Sequence, residues 1–318
     1  VEKLNINKEI KKIEKELKNT IKSGNPILEE ASLHLLSSGG KRVRPSFVVL
    51  SSEYGPYPRN EETYKIAVSL ELIHMATLVH DDVIDRSDKR RGRYTISKKW
   101  DQETAILTGN YLLALALNHI SSIQDKRIHM ILSNAIIDVC RGELFQFQDQ
   151  FNSKQTITNY LRRINRKTAL LIQLATELGA LSADADLQTA NKLKRIGHYI
   201  GMSFQIVDDV LDFTSTEKQL GKPVGSDLMN GHLTLPVLLE RRKNPQFKAL
   251  IDSLGPNSPN EDFEYCVRYI RSSESIEQSK AISKHYLNKA LDLLGDLETS
   301  PASTWFKKLI KRMESRNT

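Results

Sequence analysis

The stretch VSLELIHMATLVHDDVID, Val68–Asp85, decides how this chain reads. Val68, Leu72, Met75, Val79 and Val83 recur at three- and four-residue steps, the spacing of an apolar helical stripe. The stripe runs into three carboxylates, Asp81, Asp82 and Asp85. At about 100° per residue, offsets of 0, 1 and 4 fall within roughly one 100° arc, so like charges crowd one face. Something positive belongs among them. Carboxylates without thiols or clustered imidazoles select a hard cation such as Mg²⁺, which holds few protein ligands, keeps waters and bridges to phosphate.

The same wording returns further along. Leu193, Ile196, Ile200 and Phe204 lead into DDVLD, Asp208–Asp212. Two acidic helices of this kind suit the facing walls of a helical bundle, where bundle folds place metal sites. They predict a phosphate-rich substrate held through metal from two sides. No alternating β-branched segment of convincing length appears, and Gly and Pro punctuate between helical stretches rather than at hairpin spacing. The fold expected is therefore all-α, a single-domain bundle over residues 1–318. SLGPNSPN, Ser253–Asn260, is the only candidate linker, and it sets off no more than a C-terminal helical layer.

The 318 residues can bury a substantial core. A net charge of +7 admits polyanionic partners, yet Lys and Arg interleave with Glu, as in IKKIEKELK, in the manner of solvated helix faces. Cys140 and Cys266 match no metal or redox spacing and read as reduced structural thiols. The N-terminal segment is a charged amphipathic helix rather than a leader, and AILTGNYLLALALNHI, the longest apolar run, is broken by Asn110. A soluble, cytoplasmic protein is expected, with no stable membrane insertion and no nucleic-acid partner.

Two basic segments complete the pattern. GGKRVRP, Gly39–Pro45, joins a flexible turn to Lys41, Arg42 and Arg44; glycine lets backbone approach an anion, and guanidinium groups pair with phosphate oxygens. DKRRGR, Asp88–Arg93, sets Arg90 and Arg91 just beyond the first acidic cluster. His74 lies seven residues before Asp81, within about 20° of it on a helical wheel, whereas His80 is about 100° round and reads as a packing residue or a contact behind the cluster.

GGKRVRP, DDVID followed by RRG, and FQIVDDVLDF followed by GKPVGSDL together resemble the trans-prenyl diphosphate synthases, over nearly the whole chain. LELIHMATLVHDDVID and VCRGELFQFQDQF look most like the large catalytic component of two-component hexaprenyl and heptaprenyl diphosphate synthases, which make the side-chain precursor of menaquinone. The resemblance implies Mg²⁺ as cofactor, held by Asp81, Asp82 and Asp85 and, from the opposite wall, by Asp208 with support from Asp209 and Asp212. It implies that Arg90, Lys167 and Lys222 contact the allylic diphosphate, such as farnesyl diphosphate. Lys41, Arg44, His74 and Arg91 would bind isopentenyl diphosphate. Thr168 and Gln205, with the Lys167 carbonyl, would turn their dipoles to the allylic carbocation. Glu143 and Gln146 resemble a segment lining the product cavity. A smaller, non-catalytic subunit is the expected heterodimer partner.

The family carries bulky aromatics four or five positions before the first aspartate when growth stops early; here stand Thr77 and Ala76, which implies a longer product. One departure is His232 in NGHLTLP, where the family commonly has Lys. The alternatives are a class I terpene cyclase, an HD-type metal-dependent phosphohydrolase built on His74, His80 and Asp81, and a non-catalytic regulatory or nucleic-acid-binding bundle. The intact second motif speaks against the cyclase, the hydrolase and the regulatory subunit, and GGKRVRP supplies a second diphosphate site that a cyclase does not need.

Overall fold

A computed structural model describes residues 4–22, 24–217 and 223–314. Its contacts gather the chain into two compact units, one of 1–133, 174–194 and 297–306, the other of 134–173, 195–296 and 307–318. Four of the five boundaries fall inside helices, and the fifth lies between the helices Ser275–Gly295 and Pro301–Glu314. SLGPNSPN joins two helices of the second unit rather than marking a division.

The first unit contains α1 (Ile6–Thr20), α2 (Pro26–Ser37), α3 (Val43–Ser52), α4 (Glu61–Ile84), a two-residue antiparallel hairpin β1–β2 (Lys89–Arg90 and Arg93–Tyr94), α5 (Ile96–Lys99) and α6 (Gln102–Ile120). Starts are written in the sequence: Asn25 accepts from the Ile27 and Leu28 N–H groups ahead of Pro26, and Asn60 and Asp101 accept from Thr63 and Thr104. α4 is the central rod. Its residues 66–73 are buried without interruption, the signature of a helix covered all round. It packs chiefly on α6 and α3, and α1 lays Ile13 and Leu17 into the same core.

The second unit holds the larger part of α7 (Lys126–Gln148), then α8 (Ile157–Ile164), a π-helical turn (Asn165–Ala169), the start of α9 (Leu170–Ser182) and most of α10 (Leu187–Thr214). It continues through α11 (Ser226–Met229), α12 (Leu235–Lys243), α13 (Pro245–Ser253), α14 (Asn260–Ser272) and α15 (Ser275–Gly295); α16 (Pro301–Glu314) ends the description. Tyr160, Ile206, Phe213, Leu235 and Phe263 centre its core. The all-α reading holds, with both acidic pentapeptides on long helices. The cysteines are unpaired, Cys266 buried and Cys140 exposed. Among the described residues no helix is long and apolar enough to cross a membrane.

Candidate active site

In the first unit the acidic cluster stands on the last turn of α4, where the helix dipole already adds negative potential. Asp85 caps that turn, its N–H bonding to the Asp81 carbonyl at 2.8 Å. The three carboxylates are not equivalent. Asp82 is buried and accepts from Arg90 Nε at 3.0 and 2.9 Å, with Arg90 Nη2 at 2.8 Å. The hairpin brings Arg90 back to its own helix end. Burial raises the Asp82 pKa, with Arg90 acting against it. Asp81 is half-buried and Asp85 exposed, so these two face outward from the pair.

Beside them lies a basic socket. Arg42 is buried and satisfied: it donates to Glu71 at 3.0 Å, to Glu14 at 3.2 Å and to the Leu36 carbonyl at 3.0 Å. It takes the left-handed conformation (φ 47°) as the residue before α3, and no side chain caps that helix. Arg91, also left-handed (φ 52°), donates to the Gly39 carbonyl. Gly40 has φ 152°, a backbone conformation that L side chains rarely adopt, and Arg42 Nη1 and Arg91 Nη1 lie 2.9 Å from where its Cβ would stand. Arg44 behaves differently from Arg42. Its Nε is buried with no hydrogen-bond partner, and burial lowers its pKa to about 10, with Glu71 raising it and Arg91 lowering it further. His74 Nδ1 is likewise buried and unpartnered. Burial, then Arg44, Arg91, Arg90 and Arg42, push the His74 pKa well below the usual range, so the imidazole is neutral. Lys41 is exposed and makes no ion pair with the described residues. A guanidinium nitrogen and an imidazole nitrogen buried without partners among clustered cations suit an anionic ligand.

His80 packs against α6, where a Cβ on Gly109 would meet its ring at 2.3 Å. Ala76, one turn earlier on that face, is 3% exposed, whereas Thr77 is half-buried and donates to the His74 carbonyl at 2.8 Å.

In the second unit, the π-helical turn carries Lys167 and Thr168. Its wider backbone is accommodated by a close approach to α10: a Cβ on Gly201 would stand 2.4 Å from the Ala169 Cα. Lys167 pairs with Glu143 at 3.4 Å. Thr168 Oγ1 donates to Gln205 Oε1 at 2.6 Å, and Gln205 Nε2 donates to Asp209 Oδ1 at 2.8 Å. Tyr160 completes the row, donating to Asp209 Oδ2 at 2.7 Å. Burial, reinforced by Asp227, raises the Asp209 pKa to about 7 against the two hydrogen bonds that oppose it. Asp212 accepts from Ser226 Oγ at 3.1 Å and from the Asp227 N–H at 3.2 Å, and so fixes the segment that opens α11. Asp208 remains half-buried. Lys222 lies outside the described residues. His232 is buried, its N–H on the Asp227 carbonyl at 2.8 Å.

Tyr160 and Asp227 were not singled out from the sequence. Tyr160 looks there like any core aromatic of an amphipathic helix; GSDL was part of the family resemblance but carried no role of its own.

No three His, Cys, Asp or Glu side chains converge on a metal position among the described residues. The oxygen-only donors at the end of α4 suit a hard divalent cation, which takes few carboxylates and completes its shell with water and substrate phosphate. Asp81 and Asp85 supply such a pair, oxygen-only and one helical turn apart. A thiolate or imidazole site for a softer metal is not offered.

The family model for polyprenyl synthetases matches residues 25–270. Over 311 residues the chain is 46% identical to the heptaprenyl diphosphate synthase component 2 of Bacillus subtilis, covering 98% of this chain and 89% of that protein. The crystal structure of the Staphylococcus aureus heptaprenyl diphosphate synthase matches with a TM-score of 0.97 at 65% identity, over 99% of this chain and 100% of that one. A Caulobacter crescentus polyprenyl synthase, crystallised with calcium and isoprenyl diphosphate, matches with a TM-score of 0.92 at 27% identity, over 100% of both chains. Acid-ended helices, a basic socket and matches of this extent converge: the chain belongs to the polyprenyl synthetase family, prenyltransferases of the all-α isoprenoid synthase fold that work with a divalent metal.

Proposed function

We propose that this prenyltransferase makes a medium-chain all-trans polyprenyl diphosphate, hexaprenyl or heptaprenyl, for menaquinone side chains, by adding isopentenyl diphosphate to an allylic diphosphate such as farnesyl diphosphate. The observation that carries the reading is the socket in which Arg44 Nε and His74 Nδ1 lie buried and unpartnered, with Arg91 acting on both and Lys41 three residues before Arg44. Those four groups bind the diphosphate of isopentenyl diphosphate. Asp81 and Asp85, and in the second unit Asp208, hold Mg²⁺, which when bound neutralises the allylic diphosphate as a leaving group. Asp82 serves by fixing Arg90, which with Lys167 and Lys222 contacts that same diphosphate.

The allylic C1–O bond breaks with its electron pair leaving on diphosphate. C4 of isopentenyl diphosphate then forms the new C–C bond, and a proton from its C2 passes to the released diphosphate. No side chain acts as nucleophile. Thr168 Oγ1, Gln205 and the Lys167 carbonyl turn neutral oxygen dipoles to the electron-poor carbon, and apolar walls keep out water that would capture it. Ala76 and Thr77 leave room for growth beyond fifteen carbons. We place the reaction in the cytoplasm, carried out by residues 1–318 as one synthase domain paired with a small non-catalytic subunit. The hydrolase alternative is weakened by His80, which is engaged with Gly109.

The test is incubation with farnesyl diphosphate, labelled isopentenyl diphosphate and Mg²⁺, with and without a candidate small subunit, followed by product sizing. Thirty- or thirty-five-carbon products that need the subunit are expected. Phosphate release without elongation would sink the reading.

A further inference from the structure

The proposed chemistry leaves Asp209 and Asp212 without a task; Asp212 holds the segment that opens α11, whereas Asp209 is buried, 3% exposed, and serves no such segment. Its two oxygens are held separately, Oδ2 by the Tyr160 hydroxyl at 2.7 Å and Oδ1 by Gln205 Nε2 at 2.8 Å. Tyr160 is itself fully buried in the core of the second unit, with the Arg163 guanidinium 5.6 Å over its ring. Arg163 does not compete for the carboxylate: its nitrogens donate to Gln155 Oε1 and the Leu233 carbonyl, each at 2.8 Å.

A carboxylate held at both oxygens cannot rotate about its last side-chain bond. It therefore fixes which end of the Gln205 amide faces it: the NH₂ group donates inward, and the amide oxygen is left to face Thr168. That oxygen takes the Thr168 hydroxyl hydrogen at 2.6 Å. With its hydrogen engaged, Thr168 Oγ1 can present only lone pairs elsewhere. We propose that Tyr160 is a positioning residue for prenyl transfer, acting through Asp209 and Gln205 to keep the oxygen lone pairs of Thr168 and Gln205, rather than their hydrogens, toward the reacting carbon. The proposal rests on the reading of Thr168 and Gln205 given above and assigns the part that holds them.

The choice of a phenol is what the chemistry asks for. A Lys or Arg would fix Asp209 as firmly, but its full positive charge would oppose a carbocation forming at the far end of the relay. Tyr160 supplies one neutral donor from a rigid, buried ring. The chain is short and directional, so removal of one hydroxyl should be felt at the far end with little change in shape.

The experiment is a double-mutant cycle on the full chain, with its small subunit where needed, Mg²⁺ and both diphosphates. Tyr160→Phe is expected to lower kcat about tenfold, the scale of one well-placed hydrogen bond, with KM for both substrates within about twofold. In a Gln205→Ala background the same change should cost nothing further, because the relay is already cut. Multiplying effects, or a loss expressed in KM, would show Tyr160 to be merely structural and overturn the proposal. If Tyr160→Phe does not fold, Asp209→Leu, which can neither accept from Gln205 nor meet Tyr160, takes its place in the cycle, with the same non-additivity expected and the same failure for multiplying effects. The unchanged protein separates the two levels: no elongation by it defeats the reading of the site, whereas normal elongation with independent effects defeats the relay alone.

Discussion

DDVID and DDVLD differ only at Ile84 and Leu211, yet the two pentapeptides hold their second aspartates by opposite means. Asp82 is gripped by a guanidinium that a hairpin returns from eight residues on, whereas Asp209 is held by a phenol and an amide, both neutral. The settings differ as well. α4 ends at Ile84, so the first motif occupies a helix terminus beside Arg90, while α10 runs on to Thr214 and keeps the second inside a packed helix. The lesson is that a repeated motif fixes only its outward carboxylate, Asp81 or Asp208. What the inner carboxylate does is decided by residues the motif does not contain.

The comparison breaks first if the outward aspartates are unequal. Asp81→Ala and Asp208→Ala should each lower turnover by at least ~10²–10³-fold, the scale of lost transition-state charge stabilisation, with far-UV circular dichroism unchanged. Normal turnover in one of them would leave only one acidic wall.

Next comes the positive socket, which belongs to the first unit. Arg44→Ala should raise KM for isopentenyl diphosphate by about 10–100-fold, one charge-assisted contact, and leave KM for the allylic substrate nearly unchanged. Equal effects on both would mean that the pocket is not dedicated to one diphosphate.

The inner aspartates give a smaller and more pointed contrast, read by urea unfolding in EDTA at pH 7. Asp82→Asn breaks a charge-assisted pair and should cost ~1.5–3 kcal/mol. Asp209→Asn should stay within about 0.5 kcal/mol of the starting protein, since an amide can still accept from Gln205 and meet Tyr160, and a carboxyl whose pKa is about 7 gives up little charge there. Equal losses would erase the distinction between charged and neutral anchoring.

The smallest effect is one of pH. Because the folded His74 pKa lies well below its unfolded value near 6.5, an unfolded chain binds a proton that the native chain refuses as pH falls below about 6.5. Native stability is therefore lost on that side, by about 1 kcal/mol at pH 5.5, and His74→Gln should remove that share. Parallel curves for the two proteins between pH 7.5 and 5.5 would place His74 in a less positive setting.

Much of this was legible in the chain because the signals are local. Val68 to Val83 print a helix, Asn25, Asn60 and Asp101 print its neighbours' starts, and the doubled carboxylates print the demand for cations. What stayed hidden is tertiary. Arg42 and Arg44 are two residues apart with identical chemistry, and only folding shows that Glu71 and Glu14 pair with the first while the Nε of the second is buried without a hydrogen-bond partner. The sequence offered Asp82 as a metal ligand beside Asp81 and Asp85; its bidentate pairing with Arg90 depends on a hairpin of two-residue strands that carries no periodicity. The π-helical turn at Asn165–Ala169 breaks no helical pattern, and the division of the chain inside continuous helices leaves no mark in composition.

The uncapped start of α3 has a consequence for how the molecule breathes. Pro45 has no N–H and Ser46 already bonds to the Arg42 carbonyl, so Val43 and Arg44 carry the amide hydrogens that no earlier turn can accept. In the free protein this first turn is the place where α3 should fray, although the rest of the helix is buried. An arriving diphosphate would supply the oxygen that a serine or asparagine provides elsewhere, and so act as the cap the sequence omits. Amide exchange at Val43 and Arg44 should then slow when pyrophosphate is added, making the onset of a buried helix a reporter of ligand occupancy.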